Sequence, residues 1–186
     1  MLHFDVMDGV FVEQITYGSP VLKSLRGVTD MPLDVHLMVE DPTKQVKFFA
    51  EAGADIITIH AESFCDIPAV LKSIRAAGAR ASISVKPLTP IETVYSYLPL
   101  CDMALVMTVE PGYGGQSFIP ATLDKIAALR KRTAELGLPD FDIEVDGGIN
   151  DKTADLVKQA GANVLVAGTG LFKAADMLAA NNALKA

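Results

Sequence analysis

His3 and Asp5 are separated by one residue in the opening stretch Leu2-His3-Phe4-Asp5-Val6-Met7. Alternate residues of an extended chain point to the same side, so the two share a face. The same spacing recurs in Asp34, His36 and Met38, in Thr58, His60 and Glu62, and in Glu144 and Asp146, the last followed by Gly147 and Gly148. Imidazoles and carboxylates that converge on one mouth make a site for a divalent cation. His60 reads at least as readily as an ordinary hydrogen-bonded core histidine. For His3 that bland reading is weaker, because two polar groups buried side by side both need partners and a cation supplies one.

A second kind of chemistry lies in the glycines. Glu110-Pro111-Gly112-Tyr113-Gly114-Gly115-Gln116 follows an apolar run, and Asp146-Gly147-Gly148 and Gly168-Thr169-Gly170 follow two more. Closely spaced glycines let backbone N–H groups approach an anion, and a helix start near Pro120 would add its dipole. One such loop is weak evidence, whereas three at successive strand ends favour phosphate. Met7, Met38 and Met107 fall at or near the same ends; core filling is the commoner role of methionine, with an apolar substrate lining as the alternative.

These groups need a scaffold, and the hydrophobic pattern describes one. Apolar runs at Leu2–Met7, Leu33–Val39, Ile56–His60, Ala81–Val85, Met103–Val109, Asp142–Val145 and Asn163–Ala167 read as strands, several of them apolar on both faces as in a buried parallel sheet. Amphipathic helices are expected over Thr43–Ala52, Ala69–Ala77 and Thr122–Leu136. Gly53, Gly78 and Gly161 each stand just past a helical pattern and before a strand, where a left-handed cap is needed. An unbroken strand–helix series means an α/β fold, either an open doubly wound sheet or a closed barrel. No Gly-x-Gly-x-x-Gly follows the first strand, which counts against a dinucleotide fold.

With 186 residues the chain is expected to be a single domain over 1–186. Its seven strand–helix units are one short of a barrel of eight. Sixteen basic against 23 acidic residues leave a net charge of −7, which disfavours nucleic acid and anionic membranes as partners. Any phosphate must therefore be held by local features. Two cysteines outside any activating motif, no signal-peptide pattern and no membrane-length apolar run lead to the expectation of a cytoplasmic protein.

Five stretches resemble the ribulose-phosphate 3-epimerase family: Leu2 to Gly9 (LHFDVMDG), Asp34 to Val39 (DVHLMV), Val106 to Gln116 (VMTVEPGYGGQ), Glu144 to Gly148 (EVDGG) and Val166 to Thr169 (VAGT). They occur in family order and span nearly the whole chain. The resemblance implies a (β/α)8 TIM barrel that interconverts D-ribulose 5-phosphate and D-xylulose 5-phosphate in the pentose phosphate pathway. It implies one divalent metal, Zn, Fe, Mn or Co, on His3, Asp5, His36 and Asp146, with no organic cofactor. Asp5 and Asp146 are then the acid–base pair. The substrate and its phosphate fall to His36, to Gly112, Tyr113, Gly114 and Gly115, to Gly147 and Gly148, and to Gly168 and Thr169. Met7, Met38 and Met107 match the family's sulfur-lined pocket. The family forms dimers or hexamers, so a homo-oligomer is expected.

Val10, Glu13 and Gln14 stand where the family often has His, Pro and Asn. Family members carry one more strand and helix ahead of His3, so the chain is expected to be a barrel truncated at its N-terminus. Two other readings stay open on these residues: a 3-epimerase of a ketohexose 6-phosphate such as allulose 6-phosphate, and an inactive sugar-phosphate binder.

Overall fold

The computed structural model describes residues 1–185. Strands and helices alternate as β1 (Leu2–Met7), α1 (Ser19–Arg26), β2 (Leu33–Met38), α2 (Gln45–Glu51), β3 (Ile56–His60), α3 (Ile67–Ala76), β4 (Arg80–Val85), β5 (Met103–Met107), α4 (Thr122–Glu135), β6 (Asp142–Asp146), α5 (Ala154–Ala160), β7 (Val164–Val166), α6 (Thr169–Phe172) and α7 (Met177–Lys185). Between β4 and β5 two short 3-10 turns, Ile91–Val94 and Leu98–Leu100, stand where a helix would be. The seven strands follow chain order in the sheet. β1–β2, β2–β3, β3–β4 and β6–β7 pair in parallel. This is the parallel α/β architecture expected from the apolar runs, of the TIM-barrel type that the family resemblance implies, with seven strand–helix units.

The chain forms two compact units, Met1–Ser84 with Ser96–Ala104, and Val85–Tyr95 with Leu105–Ala186. In the first, β2 and β3 are buried along their whole length, and Val46 and Phe49 of α2 with Val70, Leu71 and Ile74 of α3 are buried with them. In the second, Ile126 and Leu129 of α4, Ile143 and Val145 of β6 and Val157 of α5 form the buried set. Removing such side chains from water is the main stabilising term, roughly 1.5–3 kcal/mol for each Leu, Ile, Val or Phe.

The helix ends obey the cap pattern. Gly53, Gly78 and Gly161 have φ of +100°, +90° and +116°. Asp66 caps α3 by accepting the Ala69 N–H at 3.1 Å, and Pro68 lies in the first turn, where no N–H is needed.

A second device recurs at the strand starts. Asp55, just before β3, accepts the Leu33 N–H of β2 at 2.7 Å and Arg26 Nη1 of α1 at 2.9 Å. Asp102, just before β5, accepts the Ala81 N–H of β4 at 2.9 Å and Arg75 Nη2 of α3 at 2.6 Å. Asn163, just before β7, accepts the Ile143 N–H of β6 at 2.7 Å and Arg130 Nη2 of α4 at 3.2 Å. Each clamp ties a helix to the N-terminal ends of two neighbouring strands.

Candidate functional site

The register of β1 against β2 builds the first part of the site. His3 lies beside Asp34, Asp5 beside His36 and Met7 beside Met38. These are three successive rungs on one face, deepest first, because every second residue points the same way.

His3 Nδ1 is 2.6 Å from Asp34 Oδ2, and Asp34 is fully buried. A carboxylate accepts only, so Nδ1 carries the proton and Nε2 turns toward Asp5 Oδ1, 3.4 Å away. His36 Nδ1 lies 3.0 Å from the same Asp5 oxygen, and its Nε2 lies 2.8 Å from His60 Nε2. His60 Nδ1 in turn lies 3.1 Å from Glu62 Oε2. Burial works against a charge on Asp5, but hydrogen bonds from His3 and His36, with the attraction of those rings, outweigh it and hold the carboxyl well below the usual carboxylate range.

The donor set suits a divalent cation. One donor atom each of His3, Asp5 and His36 lies within 4.8 Å of the others. Two imidazole nitrogens, His36 Nδ1 and His3 Nε2, face one carboxylate oxygen of Asp5. A cation can take its place among these three donor atoms. The far nitrogen of each ring is held by an acceptor chain ending in a carboxylate, the usual support for a metal-ligating histidine. Mixed imidazole and carboxylate donors fit Zn, Fe, Mn or Co.

The second unit holds Asp146 and the glycine loops. Asp146 is the last residue of β6, half-buried at the strand's C-terminal end. Thr108, fully buried, fixes that end: its N–H and its hydroxyl donate to the Asp146 carbonyl at 2.8 and 2.9 Å, and the hydroxyl also reaches the Gly147 carbonyl at 2.6 Å. Gly147 and Gly148 have φ of +119° and +68°. A Cβ on Gly147 would run into the Val109 side chain, and one on Gly148 would meet the Phe118 backbone at 2.5 Å, so both positions require glycine.

The three glycine segments are neighbours. A Cβ on Gly114 or Gly115 would lie 3.9 Å from Thr169 Oγ1, and one on Gly170 would lie 2.9 Å from the Ile149 carbonyl, next to Gly148. Gly112 and Gly115 have φ of +133° and +81°, and Gln116 Nε2 braces their loop by donating to the Glu110 and Tyr113 carbonyls at 2.6 and 2.9 Å. The Tyr113 side chain is mostly exposed. Gly168 has open space where a Cβ would be.

Met7 is half-buried on the outer rung beside Met38, which is buried. Met107 is buried with Leu105 and Val109 in the second unit. Sequence reasoning missed the support of the site. Asp34 was legible as a face-mate of His36 but not as the partner of His3. Thr108 carried no signal, because its role lies in a loop carbonyl 38 residues away.

Solved structures of the same fold include a protein titled KGPDC from Streptococcus mutans, with TM-score 0.71, 17% identity, and coverage of 98% of this chain and 94% of that one. A 3-hexulose-6-phosphate synthase from Salmonella typhimurium gives TM-score 0.64 at 17% identity, covering 98% and 84%. The fold thus defines the class, a parallel strand–helix protein of the TIM-barrel type.

The chain belongs to the ribulose-phosphate 3 epimerase family, whose family model matches residues 1–172. Ribulose-phosphate 3-epimerase of Mycobacterium tuberculosis (strain CDC 1551 / Oshkosh) is 49% identical over 184 residues, covering 99% of this chain and 80% of that one. The Bacillus subtilis (strain 168) protein of the same name is 45% identical over 175 residues, covering 94% and 81%. The chloroplastic ribulose-5-phosphate-3-epimerase of Arabidopsis thaliana is 46% identical over 187 residues, covering all of this chain and 66% of that one. The chain is accordingly an enzyme, of the isomerase class.

Proposed function

We propose that this chain interconverts D-ribulose 5-phosphate and D-xylulose 5-phosphate by moving a proton on and off C3. The observation that carries the reading is Asp5, whose Oδ1 faces both His36 Nδ1 at 3.0 Å and His3 Nε2 at 3.4 Å. The pentose is chosen over a ketohexose because the matched relatives bear the ribulose name.

In this reading His3, Asp5, His36 and Asp146 hold one divalent cation. When bound, it supplies positive charge beside the C2 oxygen, on which electrons collect. Asp5 and Asp146 flank C3. One carboxylate takes the C3 proton; the C–H electron pair forms the C2–C3 double bond and the former carbonyl electrons move to the C2 oxygen. The other carboxylate then returns a proton to the opposite side of C3, and the carbonyl re-forms. No redox partner is needed, because the electrons return to the atom they left. The backbone N–H groups of Gly112–Gly115, Gly147–Gly148 and Gly168–Thr169 hold the phosphate, with His36 and Tyr113 completing the substrate contacts. Met7, Met38 and Met107 form its apolar lining. Anchoring the phosphate fixes C3 relative to both carboxylates.

The same reading places the protein in the cytoplasm, supported by its two free thiols, Cys65 and Cys101. It also makes the chain a homo-oligomer, supported by large exposed apolar side chains such as Phe64 and Leu88. No helix among the described residues is long and apolar enough to cross a membrane.

Asp146→Asn tests the proposal. With D-ribulose 5-phosphate in deuterium oxide, the variant is expected to lose epimerisation by at least about a thousandfold, within the range that acid–base groups contribute. Undiminished C3 exchange and epimerisation would remove Asp146 from both roles. A parallel assay with allulose 6-phosphate separates pentose from hexose specificity.

A further inference from the structure

We propose that His60 and Glu62 are positioning residues that set which nitrogen of His36 faces the cation, an inference that rests on the metal site proposed above. The four groups Asp5, His36, His60 and Glu62 lie in a line joined by three contacts of 3.0, 2.8 and 3.1 Å. Both ends are carboxylates, which accept hydrogen bonds and cannot donate them when ionised. Each contact needs one proton, and two neutral imidazoles bring two. One contact is therefore short of a proton, unless a ring carries an extra one.

A cation between Asp5 and His36 fills that deficit and determines the direction of the rest. The Glu62 carboxylate accepts from His60 Nδ1–H. His60 Nε2 is then a lone pair and accepts from His36 Nε2–H. His36 Nδ1 is in turn a lone pair, turned to the side where Asp5 stands. The opposite polarity would put protons on both nitrogens of His60 and on His36 Nδ1, and would block that nitrogen as a ligand.

Burial makes the direction matter. His36 and His60 are both fully buried, while the Glu62 side chain is one-fifth exposed. Their rings lie 5.0 Å apart between centroids, and the Phe11 ring packs against His60 at 4.7 Å. With both rings out of water, hydrogen bonds within the protein and not solvent select the tautomer. His3 has a shorter version of the same support, with Asp34 accepting directly from Nδ1. His36 Nε2 meets His60, and His60 carries the contact on to the Glu62 carboxylate one ring further away.

The test measures zinc affinity and histidine nitrogen signals, not turnover. In zinc-loaded wild-type protein labelled with 15N at histidine, His36 is expected to show a protonated Nε2 and a metal-bound Nδ1, and His60 a protonated Nδ1. His60→Phe keeps the ring volume and removes both nitrogens; Glu62→Leu removes the terminal acceptor from the more exposed position. Each is expected to weaken zinc binding, measured by competition with a chelator, by about 10- to 100-fold with the fold intact by circular dichroism. Glu62→Gln, whose carbonyl still accepts from His60, is expected to recover part of the loss, which a role in packing alone would not produce. Zinc bound through His36 Nε2, or Glu62→Leu and His60→Phe proteins that bind as tightly as wild type, would overturn the proposal while leaving the metal site standing. A wild-type protein that binds no zinc, cobalt or manganese would overturn the metal site and this inference together.

Discussion

The Asp8 carboxylate accepts three backbone N–H groups, those of Val10, Phe11 and Glu40, each at 2.8 Å. Partial burial opposes its charge, but the three donors prevail and lower its pKa. A group whose native pKa is depressed adds stability above its unfolded value, about 4 for Asp, and loses it as pH falls through the native value. Asp8→Asn is therefore expected to unfold more easily in urea at pH 7, by on the order of 1–2 kcal/mol, with the difference closing below about pH 4. A gap that did not shrink at all between pH 7 and pH 3 would mean the loop depends on side-chain shape and not on charge. The two thiols follow the same logic of burial. Burial pushes Cys101 up to about 12, with Asp102 adding to it, and burial first, then Asp41 and Asp66, raise Cys65 as well. A thiol reagent at pH 7 is expected to label half-buried Cys65 slowly and Cys101 only on unfolding, as peptide mapping would show. At this scale the sequence revealed the groups and not their direction. Spacing put His3 with Asp5 and His60 with Glu62, but which nitrogen meets which oxygen depends on neighbouring strands whose register no local pattern encodes.

At the scale of elements, the expected bounds of β1 and β3 match to the residue, because Leu2, Phe4 and Val6, and Ile57 and Ile59, alternate along a strand even where the other face carries His3, Asp5, Thr58 and His60. β5 was expected to reach Val109 and stops at Met107; the Thr108 N–H turns to the Asp146 carbonyl instead of continuing the strand. β7 was expected from Asn163 and begins at Val164, since the Asn163 side chain is occupied in its clamp with Ile143 and Arg130. Helices α1, α6 and α7 gave no usable periodicity: α1 buries Leu22 alone, and α6 and α7 bury no residue. Gly53, Gly78 and Gly161 have the positive φ expected of left-handed caps, and the structure adds a second kind of required glycine at Gly147. Gly78 has φ +90° with nothing within 4 Å of a Cβ, whereas Gly147 has φ +119° and a Cβ there would strike Val109. Gly78→Ala is expected to cost about 1–2 kcal/mol of stability and leave turnover unchanged. Gly147→Ala must also displace the loop beneath Asp146, so kcat/KM for the sugar phosphate is expected to fall at least tenfold while Gly78→Ala retains it. Equal kinetics for the two variants would show that the Gly147 turn does not position the site.

For the molecule as a whole, the question is how an acidic protein takes up an anionic substrate. The formal charge is −7, and a phosphate monoester is close to a dianion at pH 7. The long-range field therefore opposes encounter, unlike enzymes whose clefts attract substrate across a charge of the opposite sign. In the function proposed above, binding comes from short-range terms: backbone N–H groups in the glycine loops and the cation site. Short-range and long-range terms respond differently to salt. At about 0.15 M ionic strength the Debye length is about 8 Å, which screens the net repulsion while leaving contacts at hydrogen-bond distance nearly intact. Raising sodium chloride from about 10 to 150 mM should thus raise kcat/KM modestly, by less than about threefold, through the encounter rate, with kcat unchanged. Chloride is the right probe, because sulfate or phosphate would compete for the glycine loops themselves. A kcat/KM that fell steeply with salt would mean that a positive local field reaches beyond the site and draws the substrate in, and the glycine loops would then share their role with surface lysines or arginines.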